Sequence, residues 1–131
     1  MKLSIAIPSK NRHGLLAGLL ENLDKNVSVE KEVIVAYADS DTNTKKLLET
    51  ISWVTPVLDG NRGAVVAYNS AMRVTTGEYV CSMSDDARIV GDSFEIAIDY
   101  LDIHNEYDRE QHHLDDKTVL QHIHYGYQDN L

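Results

Sequence analysis

Residues 61–90, NRGAVVAYNSAMRVTTGEYVCSMSDDARIV, combine a helical pattern, a short apolar run and two adjacent acidic residues. The spacing of small and apolar residues predicts a helix over residues 64–74 that stops at Gly77, followed by a strand over residues 79–83. Asp85 and Asp86 come directly after that strand. Two like charges at a strand end cost free energy unless a positive group or a hydrogen-bond network offsets them. The stretch therefore predicts a helix–strand unit that ends in a charged site.

The same alternation of strands and helices runs through the residues before that stretch. Three apolar runs are typical of buried strands, at residues 3–7, 33–37 and 53–58. Pro56 indicates that the third strand lies at an edge of the sheet. Apolar residues at helical spacing predict helices around residues 15–23 and 47–51, the first of them capped by Ser9 or Asn11. This order predicts an α/β fold with a mostly parallel sheet and helices on its faces.

The composition is typical of one globular domain. The 131 residues are 43% hydrophobic and 25% charged, which allows one core but not two. The formal charge of −9 argues against a nucleic-acid partner and an anionic membrane surface. We expect no transmembrane segment and no signal peptide, since Pro8 and Lys10 interrupt the first apolar run. Cys81, the single cysteine, is expected to be buried and reduced in a cytoplasmic protein.

Polar residues follow three of the expected strands, at residues 9–11, 39–41 and 85–86. The carboxyl ends of parallel strands meet at one edge of a sheet, and ligands bind where the strand order reverses. We therefore expect these three clusters to converge on one site. A simpler interpretation of Ser84-Asp85-Asp86, considered alone, is a turn or a helix cap.

The opening stretch resembles the donor-binding half of the family-2 glycosyltransferases with the GT-A fold. The family's pattern is found here, in order, at Asn61, Gly63, Ala67, Asn69, Ala71, Thr75, Gly77, Glu78, Tyr79 and Ser84-Asp85-Asp86. SIAIPSKNR, at residues 4–12, is similar to the family's opening strand, and EVIVAYADSDTNT, at residues 32–44, to its second strand and nucleoside loop. The resemblance implies a Rossmann-like, three-layer GT-A domain over residues 1–131. Residues 1–90 would form the nucleotide-sugar-binding core and residues 91–131 a truncated acceptor-side segment.

The resemblance also implies an activity and a cofactor. We expect a hexosyltransferase-type enzyme that transfers a sugar from a nucleoside-diphosphate sugar, by default a UDP-sugar, to an acceptor with inversion. The implied cofactor is Mn²⁺ or Mg²⁺, which binds oxygen ligands and needs only one or two carboxylates besides substrate phosphates. Asp86 is the expected direct metal ligand. Asp85 would bind the ribose, a metal-bound water or the metal.

The donor-binding residues implied by the resemblance are Pro8, Ser9, Lys10, Asn11, Tyr37, Asp39, Arg62 and Asp85. Lys10 stands where the family often has an aromatic residue, so Tyr37 is the candidate for stacking on the base. Asp39 lies one residue after the position of the family's base-binding aspartate and is expected to substitute for it. Lys10 would pair with the diphosphate or with Asp39. Arg62 would contact a donor phosphate or lie on the solvated surface.

The part of the chain after Asp86 is shorter than the family's usual acceptor half. Asp115 and Asp116 are the candidate general bases, with Glu106 and Asp108 behind them and a surface role as the alternative for each. His124 is a candidate metal ligand, and the other late histidines considered are His112, His113 and His122.

Two other classes of function stay open. One is a nucleotide-sugar-binding module or scaffold that keeps the fold without transferring a sugar. The other is a nucleotidyltransferase-like enzyme, although its glycine-rich phosphate loop is missing here, since the first glycine after the first strand is Gly14. A shortened second half would also leave apolar surface exposed, so we expect a homo-oligomer.

Overall fold

The computed structural model describes residues 1–111, and the side chains of residues 1–104. Within these residues strands and helices alternate. In chain order they are β1 (Leu3–Ser9), α1 (His13–Asn26), β2 (Lys31–Tyr37), α2 (Thr42–Glu49), β3 (Val54–Leu58), α3 (Ala64–Arg73), β4 (Tyr79–Ser82) and α4 (Ser93–Gln111). None of the helices in this part of the chain combines the length and the hydropathy that a bilayer span requires.

The strands form one parallel sheet in the order β3-β2-β1-β4. The chain builds outward from β1 to β3 and then returns to place β4 on the other side of β1. Pro56 lies in the edge strand β3, as predicted, where a missing backbone donor is tolerated. Because the strand order reverses between β1 and β4, a crevice opens at their carboxyl ends, where sheets of this kind bind ligands.

Helices cover both faces of the sheet. Alternate residues of each strand point to opposite faces, and in β1 Ile5 and Ile7 join one core cluster whereas Ala6 joins another. The larger cluster packs the sheet against α1, α2 and α4. The smaller one packs it against Ala67 and Ala71 of α3, whose small side chains bring that helix close to the strands. The three-layer α/β fold predicted from the sequence is confirmed.

Periodicity located the buried face of α1 correctly except at Leu15, which is 43% exposed. In α1 the four leucines at positions i, i+3, i+4 and i+7 are buried, namely Leu16, Leu19, Leu20 and Leu23. Complete burial of a leucine side chain contributes about 1.5–3 kcal/mol, so these four leucines contribute much of the free energy that docks α1 on the sheet. Cys81 is buried in β4, as predicted, and burial raises the pKa of its thiol.

The predicted cap of α1 is wrong. The helix begins at His13, and Arg12, at the N-cap position, makes no side-chain capping bond. Ser9 belongs to β1, and its hydroxyl is committed to Asp85. Asn11 adopts a left-handed conformation with φ of 55° and donates its backbone N–H to Asp41. Tertiary contacts across the sheet edge therefore take both residues away from the helix terminus.

The predicted helix stop at Gly77 is also wrong. Helix α3 ends at Arg73, and the N–H groups of Val74 and Thr75 bond to the carbonyls of Ala71 and Met72. Gly77 lies beyond that turn and packs against β1, where its N–H donates to the Ser4 hydroxyl at 2.8 Å. The glycine is thus required by close packing and not by the end of the helix.

Asp41 caps α2 and joins two loops of the sheet edge. Its carboxylate accepts the backbone N–H of Asn11 at 2.6 Å and both the N–H and the hydroxyl of Thr44, at 3.1 and 2.6 Å. Burial raises the pKa of Asp41, but these hydrogen bonds outweigh that effect, and its net pKa is lowered. The ionised carboxylate therefore stabilises the native state.

We expect Asp41→Ala to lower the free energy of unfolding by about 2 kcal/mol at pH 7, because it removes the cap and leaves buried donors unpaired. The native pKa lies below the ordinary value of 3.8. The contribution is therefore complete above that value and is lost as the pH falls through the native pKa. Urea denaturation at pH 7 and pH 3.5 should show the difference from wild type shrinking at low pH. A difference that is the same at both values would contradict this; Asp24→Ala, on the exposed side of α1, is the control.

Candidate functional site

A cavity of about 430 Å³ lies at the carboxyl ends of β1 and β4. Its walls come from the residues that end β1, from the first turns of α3 and from the loop after β4. The polar groups on those walls include Ser9, Lys10, Asp59, Ser84 and Asp85. The cavity therefore occupies the crevice that the reversal of strand order creates.

The acidic pair after β4 is neutralised by an arginine. Arg12 Nη2 lies 3.3 Å from Asp85 Oδ1 and 3.3 Å from Asp86 Oδ2. The other oxygen of Asp85, Oδ2, accepts the hydroxyl of Ser9 at 2.9 Å. The positive group that the like charges require is therefore supplied by the chain itself. Sequence reasoning missed Arg12, although it directly follows the predicted donor-binding residues.

The two carboxylates differ in their surroundings. The side chain of Asp85 is 4% exposed, whereas that of Asp86 is 52% exposed. A hydrogen bond from the Ser84 hydroxyl lowers the pKa of Asp86, and the contact with Arg12 lowers it further. Asp86 is therefore ionised at neutral pH and open to solvent, while Asp85 is fixed in the wall of the cavity.

These residues fit the divalent cation that the family resemblance implies. Within the described residues no group of three or more His, Cys, Asp or Glu side chains surrounds a common point. Mg²⁺ and Mn²⁺ need fewer ligands than that from the protein when substrate phosphates and waters complete the shell. One oxygen of Asp85 and one of Asp86 already converge on a single cationic nitrogen. The pair can hold a positive charge at that point.

The structure brings some of the predicted donor-binding residues into the cavity. Pro8, Ser9, Lys10 and Asp85 line it. Asn11 is turned toward Asp41 by its backbone hydrogen bond. In the described part of the chain Lys10 forms no salt bridge with Asp39, so that alternative for Lys10 is not realised.

Tyr37, Asp39 and Arg62 lie outside the cavity wall. Asp39 is exposed and accepts the N–H of Gly60 at 2.8 Å. Arg62 Nε donates to the Asp59 carbonyl at 3.4 Å. Tyr37 is only 7% exposed and packs in the larger core, and burial raises the pKa of its phenol. So little exposed ring surface argues against the predicted stacking of Tyr37 on a nucleobase.

Asp59 is a cavity residue that the sequence did not single out. It is 3% exposed, and its Oδ1 accepts the N–H of Asn61 at 2.8 Å. Asn61 in turn accepts the backbone N–H and the hydroxyl of Ser40, at 3.0 and 3.1 Å. Gly63, at the N-cap of α3, has φ of 93°. The Asn-x-Gly part of the motif thus shapes the cavity wall, with Asn61 itself at φ of 56°.

The candidate catalytic residues Asp115 and Asp116 and the candidate ligand His124 lie outside the described residues, as do His112, His113 and His122. The side chains of Glu106 and Asp108 also lie outside the described part. Their roles stay predictions from the sequence.

A parallel sheet of this order, with a charged cavity where the order reverses, defines a Rossmann-like α/β domain. Residues 4–122 match the model of glycosyl transferase family 2, and the chain belongs to that family. No curated protein matches the chain by sequence. The family predicted from the motif at residues 61–90 is confirmed.

Solved structures of S. aureus TarS share the fold. TarS 1–349 is 23% identical with a TM-score of 0.72, and the match covers 80% of this chain and 33% of that one. Its complex with UDP is 24% identical with a TM-score of 0.72, and the match covers 80% of this chain and 33% of that one. Its complex with UDP-GlcNAc is 23% identical with a TM-score of 0.66, and the match covers 80% of this chain and 32% of that one. This chain therefore spans about a third of the TarS 1–349 chains, and the likeness establishes the GT-A fold.

Proposed function

We propose that the chain is a metal-dependent, hexosyltransferase-type glycosyltransferase that transfers a sugar from a nucleoside-diphosphate sugar to an acceptor with inversion. The observation that carries the proposal is the pair of carboxylates, Asp85 and Asp86, which converge on one cationic position beside the cavity. UDP-GlcNAc and UDP are bound in TarS structures of the same fold, which supports a uridine donor. The proposed location is the cytoplasm, consistent with one buried, unpaired cysteine.

The proposed roles of the site residues follow from the exposure of each side chain and its position relative to the cavity. Asp86, being exposed and ionised, would be the direct ligand of Mn²⁺ or Mg²⁺, and Asp85 would supply a second oxygen or bind the ribose. The cation would neutralise charge that develops on the diphosphate leaving group. Lys10, on the cavity wall, is placed to attract the same phosphates. Asp115 or Asp116 would deprotonate the acceptor, and His124 would add a late metal ligand.

Thermal denaturation with nucleotides tests the donor site. We expect UDP or UDP-GlcNAc together with Mn²⁺ to raise the melting temperature, because a ligand that binds only the native state stabilises it. At a hundred times the dissociation constant the gain is about 2.7 kcal/mol. For a domain of this size that corresponds to a rise of roughly 5–10 °C. UDP without Mn²⁺ should give a smaller shift. If no nucleotide shifts the transition with or without Mn²⁺, the donor site is wrong.

A nucleotide-sugar-binding module without transfer is the second candidate. It is favoured by the contacts that the cavity carboxylates make within the chain. Asp59 and Asp85, the carboxylates that line the cavity within residues 1–104, are both engaged by neighbouring groups. Release of UDP from UDP-GlcNAc over time separates the two candidates. Mn²⁺-dependent binding with no UDP release would indicate the module.

A further inference from the structure

Arg12 is held in the site by the two carboxylates. It occupies the N-cap position of α1, and its side chain contacts both Asp85 and Asp86. That side chain is 45% exposed, which leaves it a route into solvent. The ion pair with Asp86 is solvent-exposed and therefore contributes modestly, whereas the side chain of Asp85 is only 4% exposed.

Each carboxylate has one oxygen fixed by a serine and the other on Arg12. Ser9 donates to Asp85 Oδ2, and Ser84 donates to Asp86 Oδ1. The remaining oxygens, Asp85 Oδ1 and Asp86 Oδ2, both contact Arg12 Nη2. The serines thus orient the pair so that its two remaining oxygens face a single point, which the guanidinium occupies.

A divalent cation bound by this pair would need the same two oxygens. A guanidinium and a dication cannot share them at contact distance, because their charges repel and the point is already filled. We infer that Arg12 is a built-in counter-ion that stabilises the empty site and competes with the divalent cation for Asp85 and Asp86. The inference rests on the proposed metal-dependent function and adds a residue that sets its metal affinity.

Displacement gives Arg12 a second partner. The cavity where the donor diphosphate would bind is also lined by Arg12. A guanidinium binds phosphate oxygens in a bidentate manner. Diphosphate binding would draw Arg12 off the carboxylates and so favour the cation, and by linkage the cation would favour the diphosphate to the same extent. The nucleotide-free protein therefore binds the metal weakly, and the two ligands bind cooperatively.

Mn²⁺ titration followed by electron paramagnetic resonance tests this on the full chain, without UDP and with saturating UDP. We expect Arg12→Gln to tighten binding of Mn²⁺ alone on the order of tenfold, as loss of two competing ion pairs allows. The matched control is Lys45→Gln, which removes a positive charge from the exposed surface of α2, away from the cavity wall, and should change the affinity by less than about twofold. UDP should tighten Mn²⁺ binding less in Arg12→Gln than in wild type.

The variants also separate the possible failures. Circular dichroism melts establish that each protein is folded, and Arg12→Lys, which keeps the charge but loses the planar guanidinium, should tighten Mn²⁺ binding by only about threefold. Equal effects of Arg12→Gln and Lys45→Gln, or weaker Mn²⁺ binding by Arg12→Gln, would overturn the counter-ion role. Suppose that wild type binds Mn²⁺ and Asp86→Asn does not. An unchanged Mn²⁺ affinity in Arg12→Gln would then overturn the counter-ion inference but leave the proposed metal site standing. If neither wild type nor Arg12→Gln binds Mn²⁺ with or without UDP, the proposed metal site fails with it.

Discussion

Replacing Gly77 by alanine should lower the free energy of unfolding by about 3 kcal/mol or more, a large part of the stability of an ordinary domain. A Cβ at this position would lie 2.6 Å from Ser4 Oγ, 2.7 Å from Ser4 N and 2.8 Å from the Tyr79 carbonyl oxygen. Two of these are backbone atoms of β1 and β4, which are paired with each other in the sheet. Relief of the clash would therefore require the loop at residue 77 to move away from β1 or the strands to separate.

The same substitution also disturbs a hydrogen-bond chain. The Ser4 hydroxyl accepts the N–H of Gly77 and donates to Glu32, which accepts the N–H and the hydroxyl of Thr76 as well. Burial raises the pKa of Glu32, but these hydrogen bonds outweigh it, and its net pKa is lowered. Moving the loop at residue 77 would separate these groups. The overpacking and the lost hydrogen bonds act in the same direction.

Urea denaturation followed by circular dichroism measures the effect, and Gly14→Ala is the matched control. Gly14 lies in the first turn of α1, and a Cβ there would meet no atom within 4 Å. Alanine at that position should leave stability unchanged or raise it by up to about 1 kcal/mol, since alanine favours helix more than glycine does. A Gly77→Ala protein as stable as wild type would show that the loop can relax away from β1.

The main features of the fold could be predicted from local patterns. Apolar runs such as those around Ile5 and Val33 mark strands buried on both faces, and the leucines of α1 mark a helix buried on one face. Pro56 identified an edge strand because proline cannot donate to a second neighbour. Alternation of these elements then fixes a parallel sheet, since parallel strands need crossover connections.

Positions decided by tertiary contacts could not be predicted in the same way. Ser9 and Asn11 have the chemistry of helix caps. In the folded chain, however, the Ser9 hydroxyl donates to Asp85 and the Asn11 N–H donates to Asp41, and both partners are far along the sequence. Arg12 has no local signal at all, because its partners follow β4 and reach it only when β4 pairs with β1. Tyr37 was predicted to stack on the base because Lys10 stands where the family often has an aromatic residue, but the Tyr37 side chain packs in the larger core cluster.

The second large effect is expected at Asp86. Asp86→Asn should reduce metal-dependent transfer, or metal-dependent UDP binding if there is no transfer, on the order of a hundredfold or more, because it removes a charged ligand and its electrostatic contribution. Its stability should stay near that of wild type, since the side chain is 52% exposed. Asp24→Asn, an exposed carboxylate on α1, removes the same charge away from the cavity and should leave both quantities unchanged.

Comparison with Asp85→Asn separates binding from structure. Asp85 is buried against Ser9 and Arg12, so its neutralisation should weaken the metal-dependent function and also lower the melting temperature. Asp86→Asn should weaken the metal-dependent function without lowering the melting temperature. Assays of UDP release from UDP-GlcNAc over a Mn²⁺ series, paired with thermal melts, measure both quantities on the same proteins. Undiminished Mn²⁺-dependent function in both Asp86→Asn and Asp85→Asn would mean that the serine-oriented oxygens serve only to anchor Arg12, and the acidic pair would then have a structural role at the carboxyl ends of β1 and β4.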